Sequence, residues 1–224
     1  MKWIKLDRDS YGTILMSWAV CAVLIFLDAH FIHNLWIALP IAIILAGFML
    51  FITWFFRVPD RDIPDNMNDR LVTSVADGKV VIAEKVYEKE FLKRDCLQIS
   101  VYMNFFDVHC NFWPVNGMVS YYKYHEGKYL LAFHPKSSEL NEHSSTCLQN
   151  KYGEVFFKQI AGTFARRIVC YSEPGKMEYR GDQCGVIKFG SRIDLFLPLD
   201  ADVKVKVGDK VKAVESVLAV LPEK

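Results

Sequence analysis

Two long apolar runs near the amino terminus constrain this chain more than any other feature. Residues 11–27 carry no charge, and residues 35–56 form a longer run of the same kind. A helix needs roughly 17–25 apolar residues to cross a hydrocarbon core, so each run approaches or reaches spanning length. The second contains Pro40 and Gly47, both tolerated in membrane helices. Trp18, Trp36 and Trp54 include two near run ends, where amphipathic rings favour the interface. Lys2, Lys5 and Arg8 precede the first run, Arg57 and Arg61 follow the second, and the connector 28–34 has neither Lys nor Arg. The positive-inside rule predicts a hairpin in the cell membrane with both flanks, and the rest of the chain, facing the cytoplasm. A cleaved signal peptide fits less well, since no small-residue cleavage site follows and a second apolar run comes at once. A hairpin lying shallow in one leaflet is the alternative that the short first run allows.

The chain has 224 residues, 52% of them hydrophobic, and the apolar excess is concentrated before Arg57. Residues 1–56 are therefore expected to form the hairpin and residues 57–224 a single further domain. A formal charge of +1 gives no electrostatic case for nucleic acid as a partner. The cysteines at 21, 96, 110, 147, 170 and 184 include no C-x-x-C pair, and their spacing fits neither a zinc site nor a disulfide framework. Reduced thiols and no metal are expected. His109 and Cys110 are adjacent, but neighbours on a strand point to opposite faces. His30 and His33 read as wet loop residues, and His125, His134 and His143 as solvated or structural.

Past Pro64 the pattern changes to short runs rich in Val, Ile, Phe and Tyr, separated by Gly, Pro and Asn, which indicates antiparallel sheet. A helix is expected over 162–171, where Ile160, Phe164, Ile168 and Tyr171 fall on one stripe. Residues 203–207 alternate strictly before Gly208-Asp209, and with Val211 they resemble the V-x-x-G-D-x-V half of a biotinyl/lipoyl-type hammerhead. Ala76-Asp77-Gly78-Lys79-Val80 resembles the start of another half, while the acceptor-lysine turn of a carrier is absent. The fold class expected is mainly β (α+β), an antiparallel β-sandwich with hammerhead-like halves after an N-terminal helical membrane hairpin.

Gly190-Ser191 carries the chemical signal. Glycine leaves its carbonyl unshielded and tolerates strained geometry, so an activated Ser191 hydroxyl can attack its own upstream peptide. Three further motifs give this pair its context. Phe55-Phe56-Arg57-Val58-Pro59-Asp60-Arg61-Asp62-Ile63-Pro64 and Ser74-Val75-Ala76-Asp77-Gly78-Lys79-Val80 lie upstream, with Met103 through His109 and Asn111 to Pro114 and Gly117 between. With Phe189-Gly190-Ser191-Arg192-Ile193-Asp194 they resemble F-F-R-D-P-x-R-x-I-P, S-P-A-D-G-K-V, M-S-x-x-D-V-H-x-N-R-x-P-x-x-G and F-G-S-R-x-D, the motifs of the short form of the phosphatidylserine decarboxylase family. The match covers roughly residues 55–198.

That resemblance implies a self-processing enzyme. Ser191 becomes a covalent pyruvoyl cofactor, and cleavage at 190/191 leaves a large chain, 1–190, and a small one, 191–224, as a heterodimer. His109 is implied as the base and Asp77 as the group that orients its ring. The substrate implied is phosphatidylserine, decarboxylated to phosphatidylethanolamine in phospholipid biosynthesis. Departures from the family pattern include three positions. Phe106 stands where the long form has a second histidine, leaving His109 serving twice, or a water, as the proton donor. Val75 replaces proline, and His143 replaces the arginine of K-A-S-x-x-N-E-R. Two other readings stay open: a non-catalytic hammerhead-type membrane adaptor, and a pyruvoyl decarboxylase of a different amine.

Overall fold

Helices that are apolar on every side and still exposed need a non-aqueous partner, and the first unit of the chain consists of two of them. A computed structural model describes residues 5–65, 68–128, 130, 140–162, 168–188 and 191–223. They fall into two compact units, Met1–Asp60 and Arg61–Lys224. In the first, α1 (Tyr11–Phe31) and α2 (Leu35–Phe55) are each long and apolar enough to cross a membrane. Phe31, Ile44 and Trp36 are 70%, 70% and 91% exposed, so the unit's own packing does not cover them. Asn34 caps α2 by accepting a hydrogen bond from the Trp36 amide at 3.0 Å, which sets the tight connection between the helices. Trp18 donates to the Thr53 hydroxyl across the pair, 3.1 Å. Strands β1 (Lys5–Leu6) and β2 (Arg57–Val58) pair antiparallel and close the base of the hairpin. The Arg57 guanidinium lies 3.6 Å above the Trp54 ring.

The second unit is built of strands, every neighbouring pair antiparallel. They are β3 (Leu71–Thr73), β4 (Gly78–Glu88), β5 (Arg94–Met103), β6 (Cys110–Phe112), β7 (Gly117–His125), β8 (His143–Asn150) and β9 (Gly153–Ala161). After them come β10 (Ile168–Cys170), β11 (Met177–Glu178), β12 (Gln183–Ile187), β13 (Ser191–Leu197), β14 (Asp202–Val203), β15 (Lys210–Val211) and β16 (Val217–Val220). An eight-stranded sheet runs β11-β7-β8-β9-β13-β5-β4-β15, beside two three-stranded sheets, β10-β12-β6 and β14-β16-β3.

β13 sits near the middle, paired with β9 on one side and β5 on the other, and all seven of its residues are buried. Its alternation divides the two faces. Ile193, Leu195 and Leu197 join the main core with Val101, Ile99, Phe157 and Trp113, while Phe196 packs on the other face with Phe156, Cys147 and Cys96. The two hammerhead-like halves meet directly. Lys210 pairs with Lys79 and Val211 with Gly78, and the Val80 amide donates to the Asp209 carbonyl at 2.9 Å.

Two local expectations are corrected. Ile160 ends up in β9, and Ile168–Cys170 forms β10 against β12, so the later part of the expected 162–171 helix is a strand. Residues 163–167, Phe164 among them, lie outside the described residues. Of the alternating tail 203–207 only Val203 is in a strand; Val207 is 59% exposed.

Candidate active site

Ser191 opens β13 with Met103 of β5 and Ala161 of β9 as its register partners, and it is fully buried. Its side chain points to the core face, where Oγ donates to Met103 Sδ at 3.7 Å. A thioether is a weak acceptor, so this contact holds the hydroxyl in place without consuming its lone pairs. Met103 Sδ also receives Asn111 Nδ2 at 3.8 Å, and Asn111 Oδ1 accepts from Gln159 Nε2 at 2.8 Å. The next residue faces the other way. Arg192 and Asp194 form a buried ion pair, Nε to Oδ1 2.8 Å and Nη2 to Oδ2 3.0 Å, and Ser100 donates to Asp194 at 2.6 Å.

His109 is fully buried on the connector between β5 and β6. The connector starts as a self-bonded turn: Asp107 accepts from the Asn104 amide at 2.8 Å, and Asn104 accepts from the Phe106 amide at 2.8 Å. His109 Nδ1 lies 2.9 Å from the Asp107 carbonyl oxygen. A carbonyl only accepts, so Nδ1 carries the proton and the neutral ring has its lone pair on Nε2.

Topology brings His109 and Ser191 to one edge. β5 pairs with β13 in the eight-stranded sheet, and β6 pairs with β12 in the three-stranded one. The ends of β5 and β6 therefore meet the ends of β13 and β12 at the junction of the same two sheets. The Ile187 amide donates to the His109 carbonyl at 3.2 Å on one side, and Ser191 registers with Met103 on the other. Phe189 and Gly190 lie outside the described residues.

Asp77 precedes β4. Its carboxylate takes both terminal nitrogens of Arg61, Oδ2 at 2.7 Å, and accepts the Ala213 amide at 2.8 Å. Arg61 also donates to the Ala213 carbonyl at 2.8 Å, so Asp77 and Arg61 together pin the turn after β15. Among the described residues Asp77 and His109 share no hydrogen bond; the Nδ1 partner is the Asp107 carbonyl. Gly78 adopts φ +152, and a Cβ there would strike the Tyr102 carbonyl, so only glycine lets the start of β4 lie this close to β5.

The motifs assembled here are those of known proteins. A family model described as phosphatidylserine decarboxylase matches residues 48–219. The chain is 48% identical over 183 residues to the phosphatidylserine decarboxylase proenzyme of Amoebophilus asiaticus (strain 5a2), covering 81% of this chain and 80% of that one. It is 39% identical over 218 residues to the proenzyme of the same name from Cytophaga hutchinsonii, covering 96% and 98%. The chain belongs to the phosphatidylserine decarboxylase family. Membership sets aside the non-catalytic adaptor.

Within that family pattern the departures have clear settings. Phe106 is 71% exposed on the connector turn, three residues before His109. Val75 is buried, and its carbonyl accepts the Phe112 amide at 2.9 Å, a backbone bond indifferent to the side chain. His143, expected as solvated or structural, is 93% buried on β8 and stacked on His125. His134 lies outside the described residues. None of the six cysteines is in a disulfide, and burial pushes Cys147 up to about 12 and raises Cys184 and Cys96, so these three are poor nucleophiles. Met103, Asn111 and Gln159 were not singled out as site residues. Met103 and Asn111 bracket the motif that holds His109, which was the available signal; Gln159 had none.

Proposed function

We propose that this chain is a proenzyme that cuts itself between Gly190 and Ser191 and then converts phosphatidylserine to phosphatidylethanolamine at the cytoplasmic face of a membrane. The observation that supports it most is the matched pairing of β5 with β13 and of β6 with β12, which sets the backbone of His109 beside Ile187 and that of Ser191 beside Met103 at the junction of the same two sheets.

His109 Nε2 takes the Ser191 Oγ proton as Oγ adds to the Gly190 carbonyl carbon. The C–N bond then breaks, the proton passes to the departing nitrogen, and an ester replaces the amide. Loss of the 191 α-proton eliminates Gly190 as a carboxylate and leaves dehydroalanine. Its tautomer hydrolyses to ammonia and a pyruvoyl group, with no oxidant required. The site fits that group: Ser191 is enclosed between Met103 and Ala161, and a planar three-carbon unit occupies little more room than the serine. When formed, the pyruvoyl group supplies an electron sink for the pair left by departing carbon dioxide. With Phe106 turned outward, His109 is the proton carrier this segment retains, serving in maturation and again at the substrate α-carbon. Asp77 enters as the orienting residue through its motif, immediately before β4. In the uncut chain its carboxylate holds Arg61 and the Ala213 amide instead.

After the cut, residues 191–224 begin with β13, which keeps seven register pairs to β5 and six to β9. The two products therefore stay together as a heterodimer. The apolar helices and the basic residues on both their flanks support a cytoplasmic, membrane-held enzyme, since a lipid substrate then offers its headgroup without leaving the bilayer. The test is release of labelled carbon dioxide from the purified, processed protein. Phosphatidylserine vesicles should release it and free serine should not. Equal release from free serine would transfer the reading to a soluble amine, and release from neither would sink it.

A further inference from the structure

On the sheet face opposite Ser191, two histidines and a carboxylate converge from three elements. His125 ends β7 and His143 opens β8 as its register partner, and their rings stack with centroids 4.3 Å apart and planes 12° from parallel. Glu90 reaches over them from the turn between β4 and β5, placing Oε1 2.7 Å from His125 Nε2. One potential ligand atom from each residue lies within 4.8 Å of the other two.

Each group is prepared for that role by its neighbours. His143 Nδ1 lies 2.7 Å from the Asn141 carbonyl oxygen, which fixes the proton there and leaves Nε2 as the lone-pair nitrogen. Burial lowers the His143 pKa, with the Asn141 bond opposing it in part, which favours the uncharged ring. Glu90 is ionised: burial pushes its carboxyl up, but Lys158, His125 and Ser145 together outweigh this and bring it down to about 2. Glu90 Oε2 is occupied by Lys158 Nζ at 2.6 Å and the Ser145 hydroxyl at 3.0 Å, the outer contacts that orient a ligating carboxylate. Oε1 carries the His125 contact and a Tyr121 hydroxyl at 3.2 Å. Lys158 is the obstacle to any cation, yet it is shared with Glu88 at 3.5 Å. Two carboxylates and one ammonium leave this group at −1 before a metal enters.

We propose that His143 Nε2, His125 Nε2 and Glu90 Oε1 form a site for one divalent transition metal of the zinc type, completed by water. Two imidazoles and one carboxylate select such ions over calcium or magnesium. His125 now bonds Glu90 through Nε2; on binding, Nδ1 carries the ring proton and Nε2 takes the metal. With side chains 23% and 16% exposed, His125 and Glu90 leave a route of entry. The ion would fasten β7, β8 and the β4–β5 turn together, on the face that Arg192 shares and Ser191 does not. At position 143 this chain has histidine where the family motif it resembles has arginine.

The test is titration of the purified full chain in detergent with cobalt(II), read by its visible absorption, and with zinc by calorimetry. One equivalent should bind saturably. His143→Arg and His125→Asn should each weaken it by about 100-fold or more, while His30→Asn in the last turn of α1 with His33→Asn in the helix connector leaves it unchanged. Zinc should raise the melting temperature of the parent chain but not of His143→Arg. No saturable equivalent in the parent chain, or undiminished binding in both His125→Asn and His143→Arg, would overturn the site.

Discussion

Ser191 and Arg192 are consecutive residues with opposite surroundings. One presents a hydroxyl to a thioether in the apolar core; the other is locked to Asp194 behind the same strand. The buried ion pair contributes little as a pair, but half of it is costly, because the remaining charge has no water to return to. Arg192→Leu should therefore destabilise the fold by about 3–5 kcal/mol, measured by urea unfolding of the detergent-solubilised chain; a loss under 1 kcal/mol would show that Asp194 finds other compensation. Ser191→Ala should fold and remain one chain, since no hydroxyl is left to attack. His109→Ala should slow cleavage by about 10²–10⁴-fold, followed as loss of the full-length band with time. Processing at the parent rate would remove His109 as the base. The sequence named both residues, because each lies inside a motif whose chemistry depends on residue type. Met103 lies in a motif too, but its contact with Ser191, like the Glu90–His125–His143 group, is not readable there, since strand pairing brings Met103 to Ser191 and His125 to His143.

At the scale of elements, the turn between β4 and β5 concentrates charge in an otherwise apolar setting. Glu88 accepts the amides of Glu90, Phe91 and Leu92 at 2.8–2.9 Å, and Lys158 bridges Glu88 and Glu90. Because the folded chain holds the Glu90 carboxyl near 2 against an ordinary 4.5, the unfolded chain binds the proton more readily. The stability this gives is fully present above pH 4.5 and is lost as pH falls from there towards 2. Glu90→Gln should lower stability at pH 7 and flatten its fall over that interval, as measured by denaturant unfolding across pH; an unchanged pH profile would contradict the assignment. The same scale shows why the hairpin was legible and the 162–171 segment was not. An apolar run of spanning length is a local property, complete in the sequence. The spacing of Ile160 and Ile168 fits a helical stripe and two strands equally well, and pairing with β13 and β12 decides it.

For the whole molecule, two units divide the work: apolar helices that suit a bilayer, and a curled sheet whose central strand starts at the proposed cut. The mainly β character and the antiparallel pairing followed from short β-branched and aromatic runs. The order of strands did not, because β13 pairs with β5 across more than 80 residues of chain, a separation no local pattern encodes. The same long-range pairing predicts that residues 1–190 and 191–224 co-purify under native conditions and separate only in denaturant. The central claim is the cut itself, and an intact mass of the purified protein under denaturing conditions tests it most directly. The account predicts two species, residues 1–190 and a 191–224 fragment lighter than its encoded mass by conversion of its first residue from serine to pyruvoyl. A single species at the full-length mass in protein that releases carbon dioxide from phosphatidylserine would contradict it.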